Sequence, residues 1–195
     1  MLPEPDARWR YLSAEELPAL LQAAEARSPV LHAAIVVAIA TGVRKGELLR
    51  LRWSDVDFER QCVSVLITKN GQPRSVHLPA SAVAALQGLK AAPVVSPAHV
   101  FLSASGKPMT WQALDKLWRG ARTAAGLKDF RWHDLRHSCA SYLAQAGASL
   151  LEIGGVLGHR SAAVTLKYAH LQQGAAVTGH TALDARLTAA LRAKP

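Results

Sequence analysis

Cysteine is nearly absent: two in 195 residues, Cys62 and Cys139, too few for a disulfide framework and without the close pairing of a zinc-type site. That usage fits a reducing cytosol, so the chain is expected to be cytoplasmic, with both thiols behaving as small apolar residues. Long apolar runs are missing too. The most apolar stretch, VLHAAIVVAIATGV (Val30 to Val43), is too short to span a bilayer, and the acidic, proline-containing start MLPEPDARWR lacks a signal-peptide pattern. No Lys/Arg cluster flanks an apolar helix face, which argues against docking on anionic lipid. There are no internal repeats, no low-complexity segments and no nucleotide-binding loop. Acidic side chains are scarce: 14 Asp and Glu stand against 23 Lys and Arg, for a formal charge of +9 and a pI near 10.1. A polyanionic partner is therefore favoured over an acidic small molecule, and nucleic acid is the first candidate.

Half of the residues are apolar, enough for one globular domain with a sizeable core. Ser13 with Glu16 three residues on is a capping box that opens a helix toward Ala26. Val30 to Ala40 is apolar on most sides and reads as a buried helix ended by Thr41-Gly42. The chain resumes in VRKGELLRLRW with Leu48, Leu49 and Leu51 inward, which places Arg44 at a break between two helices. CVSVLIT alternates, with Val63, Val65 and Ile67 on one face, and RSVHLP follows the turn signal Asn70-Gly71, so a small antiparallel sheet with a hairpin is expected and Lys69 stands at the start of its turn. Ser81 to about Lys90 is a short helix. AAPVVSPAHV is a proline-punctuated loop. Thr110 caps a helix carrying Leu114, Leu117 and Trp118 and closed by Gly126. Four further helices are expected: Asp134 to about Ala146, Ser149 to about Leu157, Ser161 to about His170, and a tail from Thr181 with Leu183, Leu187 and Leu191 in an apolar stripe. The fold class is α+β, mainly α-helical with a small antiparallel β-sheet.

The stretch RWHDLRHS, Arg131 to Ser138, concentrates two histidines and two arginines. His133 and His137 have the i, i+4 spacing of zinc proteases, but the glutamate that motif needs after the first histidine is replaced by Asp134, and Arg136 next to a ligand repels a dication. No metal is expected. Taken singly, each of these side chains fits a capped, basic helix start on the surface. Taken with Arg44, Lys69, His159 and Tyr168, they form a chemically coherent set. Two arginines bond the non-bridging oxygens of one phosphate bidentately and stabilise the added charge of a pentacoordinate transition state. A tyrosine hydroxyl needs a base to become a nucleophile, and a histidine, here His133 or His159, has the right unperturbed pKa range for that task. A lysine on a hairpin tip can protonate the leaving sugar oxygen. Such groups transfer phosphoryl esters on DNA with no metal or other cofactor, and attack by tyrosine conserves the ester energy so that a strand can be rejoined without ATP.

These segments resemble the catalytic domain of the tyrosine recombinases, or phage integrase family. TGVRKGELLRLRWSDVDF is similar to the family's first arginine box, ITKNGQPRSVHLP to its β-hairpin lysine, HDLRHSCASYLAQAG to its His-x-x-Arg box, and LGHRSAAVTLKYAHL to its histidine and nucleophilic tyrosine. The resemblance covers about Leu12 to Leu171, and four boxes in order make it specific. It implies that Arg44 and Arg136 clamp the scissile phosphate, that Lys69 protonates the leaving 5′ oxygen, and that His133 acts as general base. It further implies that His159 bonds a phosphate oxygen and that Tyr168 forms a 3′-phosphotyrosine link. Glu47, on the helical face of Arg44, is expected to orient that arginine or His137, and His137 to brace the site from behind. Arg74, Lys107, Arg160 and Lys167 are candidate contacts to the DNA backbone. Trp53, Trp111, Trp118 and Trp132 are expected in the core.

The implied activity is site-specific recombination of double-stranded DNA, as integration or excision of a mobile element, with self-association into a tetramer on DNA and a possible monomer in isolation. The alternatives are an inactive DNA-binding relative, against which the full set of six groups argues, and a type IB topoisomerase, which typically has lysine where His133 stands. On this reading residues 1–175 form the catalytic domain and 176–195 a tail helix docking in cis or in trans. The family's N-terminal core-binding domain is expected to be absent, as in an excised domain or a naturally short relative. Gly154 and Gly155 lie inside the helix before His159, where each costs about 1 kcal/mol relative to alanine, so that helix is expected to be loose.

Overall fold

The structure is a computed structural model that describes residues 10–65, 73–91, 98–159 and 161–172. Lys69, Ile67, the Asn70-Gly71 turn, Arg160 and the tail from Thr181 lie outside the described residues. The chain divides into two compact units, Met1–Cys139 with Val156–Gly158, and Ala140–Gly155 with His159–Pro195.

The first unit opens with α1 (Glu16–Arg27) and α2 (Pro29–Thr41). Ser13 Oγ accepts the Glu16 amide at 3.2 Å while Glu16 Oε2 accepts the Ser13 amide at 3.0 Å, the reciprocal cap that the spacing of these residues predicts. Arg10 donates to the same carboxylate at 2.7 Å, and that hydrogen bond, opposed by burial, holds Glu16 below the ordinary glutamate range. The α2 helix is buried along most of its length, from Leu31 through Ala38, and packs on α1 and on α4 (Ala80–Lys90). It stops at Gly42, whose φ of 60° is the left-handed conformation that glycine adopts without penalty. A Cβ there would also run into the Leu157 side chain.

Arg44, extended at φ −70°, is the N-cap of α3 (Lys45–Arg50), so this arginine does stand at a helix break. Leu48, Leu49 and Leu51 are buried, as their spacing predicts. Among the described residues the sheet has three antiparallel strands in sequence order, β1 (Val56–Asp57), β2 (Cys62–Val65) and β3 (Arg74–His77). Its first strand, only two residues long, has no sequence alternation to betray it. The register pairs Val63 with Val76 and Val65 with Arg74. Val63, Val65, Val76 and then Leu78 point inward, and Arg74 shares their face.

Thr110 Oγ1 accepts the Ala113 amide and starts α5 (Trp111–Ala124), which lays Leu114, Trp118 and Ala121 against α1. Trp118 meets Trp132 edge-on at 5.2 Å between ring centroids and Phe130 at 6.0 Å. This aromatic cluster anchors the segment that enters α6 (Asp134–Gln145). Ser138 Oγ strengthens the seat by donating to the Asp134 carbonyl at 2.9 Å and accepting the Leu12 amide at 3.0 Å.

The α7 helix (Leu150–Leu157), whose last two residues belong to the first unit and the rest to the second, runs unbroken through Gly154 and Gly155, and buries Ile153. The single helix expected from Ser161 to about His170 is instead two short pieces. Ser161 caps α8 (Ala162–Leu166), the chain then turns, and a 3-10 turn covers Ala169–Gln172. The break falls at Lys167 and Tyr168. Among the described residues no helix is long and apolar enough to cross a membrane.

Candidate active site

Arg44 and Glu47 meet across the first turn of α3. Glu47 Oε2 accepts the Arg44 amide at 3.0 Å and Oε1 accepts Arg44 Nη1 at 3.0 Å. The Arg44 side chain remains 45% exposed, so the guanidinium is braced at its base and open to solvent beyond it. Glu47 itself is buried, and a second arginine reaches it: Arg74 Nη2 donates to Oε2 at 2.9 Å. Burial pushes the Glu47 carboxyl up, but the Arg74 hydrogen bond and charge and the Arg44 amide outweigh it, so the group lies below the ordinary glutamate range. Glu47 is thus no solvated surface charge: its carboxylate is held between Arg44 and Arg74.

A carboxyl whose folded pKa is lowered contributes stability that is complete above the unfolded-state value and is lost as pH falls through the folded one. Glu47→Gln is therefore expected to cost about 3 kcal/mol at neutral pH, the scale of breaking a buried ion pair. Urea unfolding across pH checks this: the deficit should shrink as the solution is acidified below the ordinary glutamate range.

Arg136 comes from α6, is buried, and donates from Nη1 to the Gly42 carbonyl at 2.6 Å, a bond between residues 94 apart in the chain. Gly42 lies two residues before Arg44. The two arginine boxes are therefore brought to one corner of the first unit, where the end of α2 meets α6. Cys139, one turn beyond Arg136, is buried, and burial pushes its thiol up to about 12 against the pull of Arg136. It serves as an apolar residue, as its isolation in the sequence suggests. His133 is exposed at the start of α6 and His137 half-buried, with ring centroids 5.1 Å apart and planes at 88°. Among the described residues no group of three or more His, Cys, Asp or Glu side chains has the arrangement to hold a metal ion.

The second unit holds the other two candidates. His159 is half-buried, and its Nδ1 lies 2.9 Å from Oγ1 of the buried Thr165. Sequence reasoning missed Thr165, although it sits three residues before Tyr168 in TLKYAHL. Its hydroxyl fixes the orientation of the imidazole through that contact. Gly154 now has a packing reason: a Cβ there would stand 3.3 Å from Thr165 Oγ1, whereas one at Gly155 would meet nothing within 4 Å. Gly155→Ala is expected to stabilise the protein by about 0.5–1 kcal/mol, the ordinary helix-interior gain. Gly154→Ala should yield none of it, and thermal unfolding of the two variants checks the contrast.

Tyr168 is 2% exposed, its amide bonds the Thr165 carbonyl at 3.0 Å, and Lys167 Nζ lies 5.1 Å from its ring centre. Of the candidate backbone contacts, Lys107 is exposed and Lys167 half-buried. Arg74 is half-buried as well, and its side chain is turned inward. The expectation that all four tryptophans are core holds for Trp118 and Trp132 only, since Trp53 is half-buried and Trp111 is 54% exposed. Trp111 stands at the first position of α5 and covers Lys45, whose Nζ lies 4.5 Å from its ring centre and is ion-paired with Asp115. The pair ties the start of α3 to the start of α5, a contact between segments far apart in sequence that no local pattern announces.

The model of the Phage integrase family matches residues 10–174. The shufflon-specific DNA recombinase of Escherichia coli is 32% identical over 167 residues, which are 85% of this chain and 41% of that protein. Tyrosine recombinase XerC of Roseiflexus castenholzii is 36% identical over 149 residues, 72% of this chain and 47% of that one. The chain thus spans less than half the length of these curated relatives. Among solved structures, that of XerA recombinase superposes with a TM-score of 0.73 at 29% identity, covering 93% of this chain and 66% of that chain. The mostly helical fold with its small three-stranded sheet is that of a tyrosine recombinase catalytic domain.

Proposed function

The chain belongs to the phage integrase family, and we propose that it is the catalytic part of a site-specific DNA strand transferase that cuts and rejoins double-stranded DNA through a covalent 3′-phosphotyrosine intermediate. The observation that carries this reading is the Arg136 bond to the Gly42 carbonyl, which sets Arg136 beside the segment bearing Arg44. Two guanidiniums at one corner suit a single phosphate, whose equatorial oxygens gather charge as a fifth ligand arrives.

In the cleavage step, the Tyr168 hydroxyl oxygen attacks the scissile phosphorus. The bond from phosphorus to the sugar 5′ oxygen breaks, and a tyrosyl phosphodiester forms in its place. His133 takes the tyrosine proton, Lys69 gives a proton to the departing 5′ oxygen, and His159, oriented by Thr165, donates to a phosphate oxygen. Because one phosphodiester is exchanged for another, the reverse attack by a 5′-hydroxyl rejoins a strand without an energy source. Arg44 and Arg136 supply the charge that magnesium supplies in other phosphoryl transfers, so the reaction needs no metal. Tyr168 is buried, and its hydroxyl has to come to the surface before DNA is attacked. Double-stranded DNA is the partner that the net charge of +9 suits, with Lys107, Arg160 and Lys167 on the backbone. The tetramer of the synaptic complex and the cytoplasmic setting are part of the same reading.

The test is a duplex nicked next to the recombination site, so that the released fragment diffuses away and rejoining is blocked. In the presence of EDTA the protein is expected to accumulate a protein–DNA complex that survives boiling in detergent. A protein that binds this duplex and never becomes linked to it is a binding module, not a strand transferase.

A further inference from the structure

Arg74 lies just beyond the hairpin on β3, and its place in the sequence suggests a surface cation reaching for DNA. Its surroundings say otherwise. The register opposes it to Val65, on the face that Val63 and Val76 turn to the interior. Only 14% of its side chain is exposed. Nη2 donates to Glu47 Oε2 at 2.9 Å and Nε donates to the Val156 carbonyl at 3.2 Å. Gly158 makes room for it: a Cβ at that glycine would stand 3.0 Å from three atoms of the Arg74 side chain. The same Glu47 oxygen that takes Arg74 also takes the Arg44 amide, while the other oxygen takes the Arg44 guanidinium.

We infer that Arg74 is a positioning residue that acts through Glu47 to hold Arg44 in its phosphate-binding pose, and that it makes no contact with DNA. The consequence for phosphate binding rests on the function proposed above. A carboxylate alone could pivot about its own side chain, taking Arg44 with it. Arg74, fixed at its other side by the Val156 carbonyl and at its backbone by the sheet, stops that rotation. Arg74 thereby joins three parts of the first unit: the Val65–Arg74 end of the β2–β3 pair, the start of α3 and the C-terminal end of α7. A lysine in its place could pair with Glu47 but has no second donor at the angle of Val156.

Three measurements on the full chain test this, with Arg74→Gln and Arg74→Lys. First, the salt dependence of binding to random-sequence duplex DNA is expected to keep its slope in Arg74→Gln. A contact with one phosphate predicts a slope smaller by about 0.9, and that result overturns the inference. Second, in single-turnover linkage to the nicked duplex, Arg74→Gln is expected to lower the rate at saturating DNA about tenfold and leave the half-saturating concentration unchanged, with partial rescue in Arg74→Lys. In an Arg44→Lys background the same change should cost less than about twofold, because the two arginines act as a unit. Equal losses in both backgrounds overturn it. Third, the Glu47 carboxyl, followed by carbon-13 NMR, should titrate at higher pH in Arg74→Gln than in the parent, and an unmoved midpoint overturns the inference. This last readout needs no DNA, so a protein that never links to DNA refutes the proposed function while the titration still decides the role of Arg74.

Discussion

A protein carrying Tyr168→Phe is expected to bind DNA as tightly as the parent and to form no covalent complex with it. Phenylalanine keeps the ring that fills this buried position, so stability should change by no more than about 1.5 kcal/mol, the scale of one hydrogen bond. What disappears is the single oxygen proposed to become linked to phosphorus. The loss is of the nucleophile itself and should be at least about 10⁴-fold in linkage rate, beyond what positioning variants lose. Binding draws on cations that the substitution leaves in place. Gel electrophoresis in detergent, run beside a binding titration, separates the two effects.

The next largest effect is expected at Arg136. Arg136→Lys keeps one positive charge but loses the planar fork, and a lysine cannot hold the Gly42 carbonyl and a phosphate oxygen in the same plane. Linkage at saturating DNA should slow by about 10²–10³-fold, comparable to removing one preorganised donor from a transition-state site. Arg136→Ala should be slower still. It should also unfold more readily, because the buried Gly42 carbonyl loses its partner, at a cost of about 1–3 kcal/mol. The lysine variant therefore isolates chemistry from folding, and equal linkage rates in Arg136→Lys and the parent would remove this arginine from the clamp.

Sequence proved most legible where structure is local. The Ser13–Glu16 cap, the helix end at Gly42, the Thr110 cap and the alternation of Val63 and Val65 are each decided within a few residues, and each stands where those residues put it. Arg44 at a helix break follows from the same kind of evidence. Other features depend on segments meeting from far along the chain. Arg74 passes for a surface cation until β2 is laid beside it, although its alternation with Val76 and Leu78 was a signal that it faces inward. Trp111 passes for a core residue by type, yet at the start of α5 it lies over the Lys45–Asp115 pair and stays half in solvent. The helix expected through Tyr168 ends at Leu166 and gives way to a 3-10 turn over Ala169–Gln172, a break that no local pattern marks. The glycines of α7 mark a close approach at Gly154 and open space at Gly155, which no propensity scale separates.

The chain has three tyrosines, Tyr11, Tyr142 and Tyr168, and only Tyr168 is the proposed nucleophile. The decisive measurement is mass spectrometry of the protease-digested covalent complex after the DNA has been trimmed by nuclease. The expected result is a nucleotide joined through its 3′ phosphate to the peptide containing Tyr168, and to no other. A nucleotide on Tyr11 or Tyr142, or one joined through a 5′ phosphate, would contradict the mechanism.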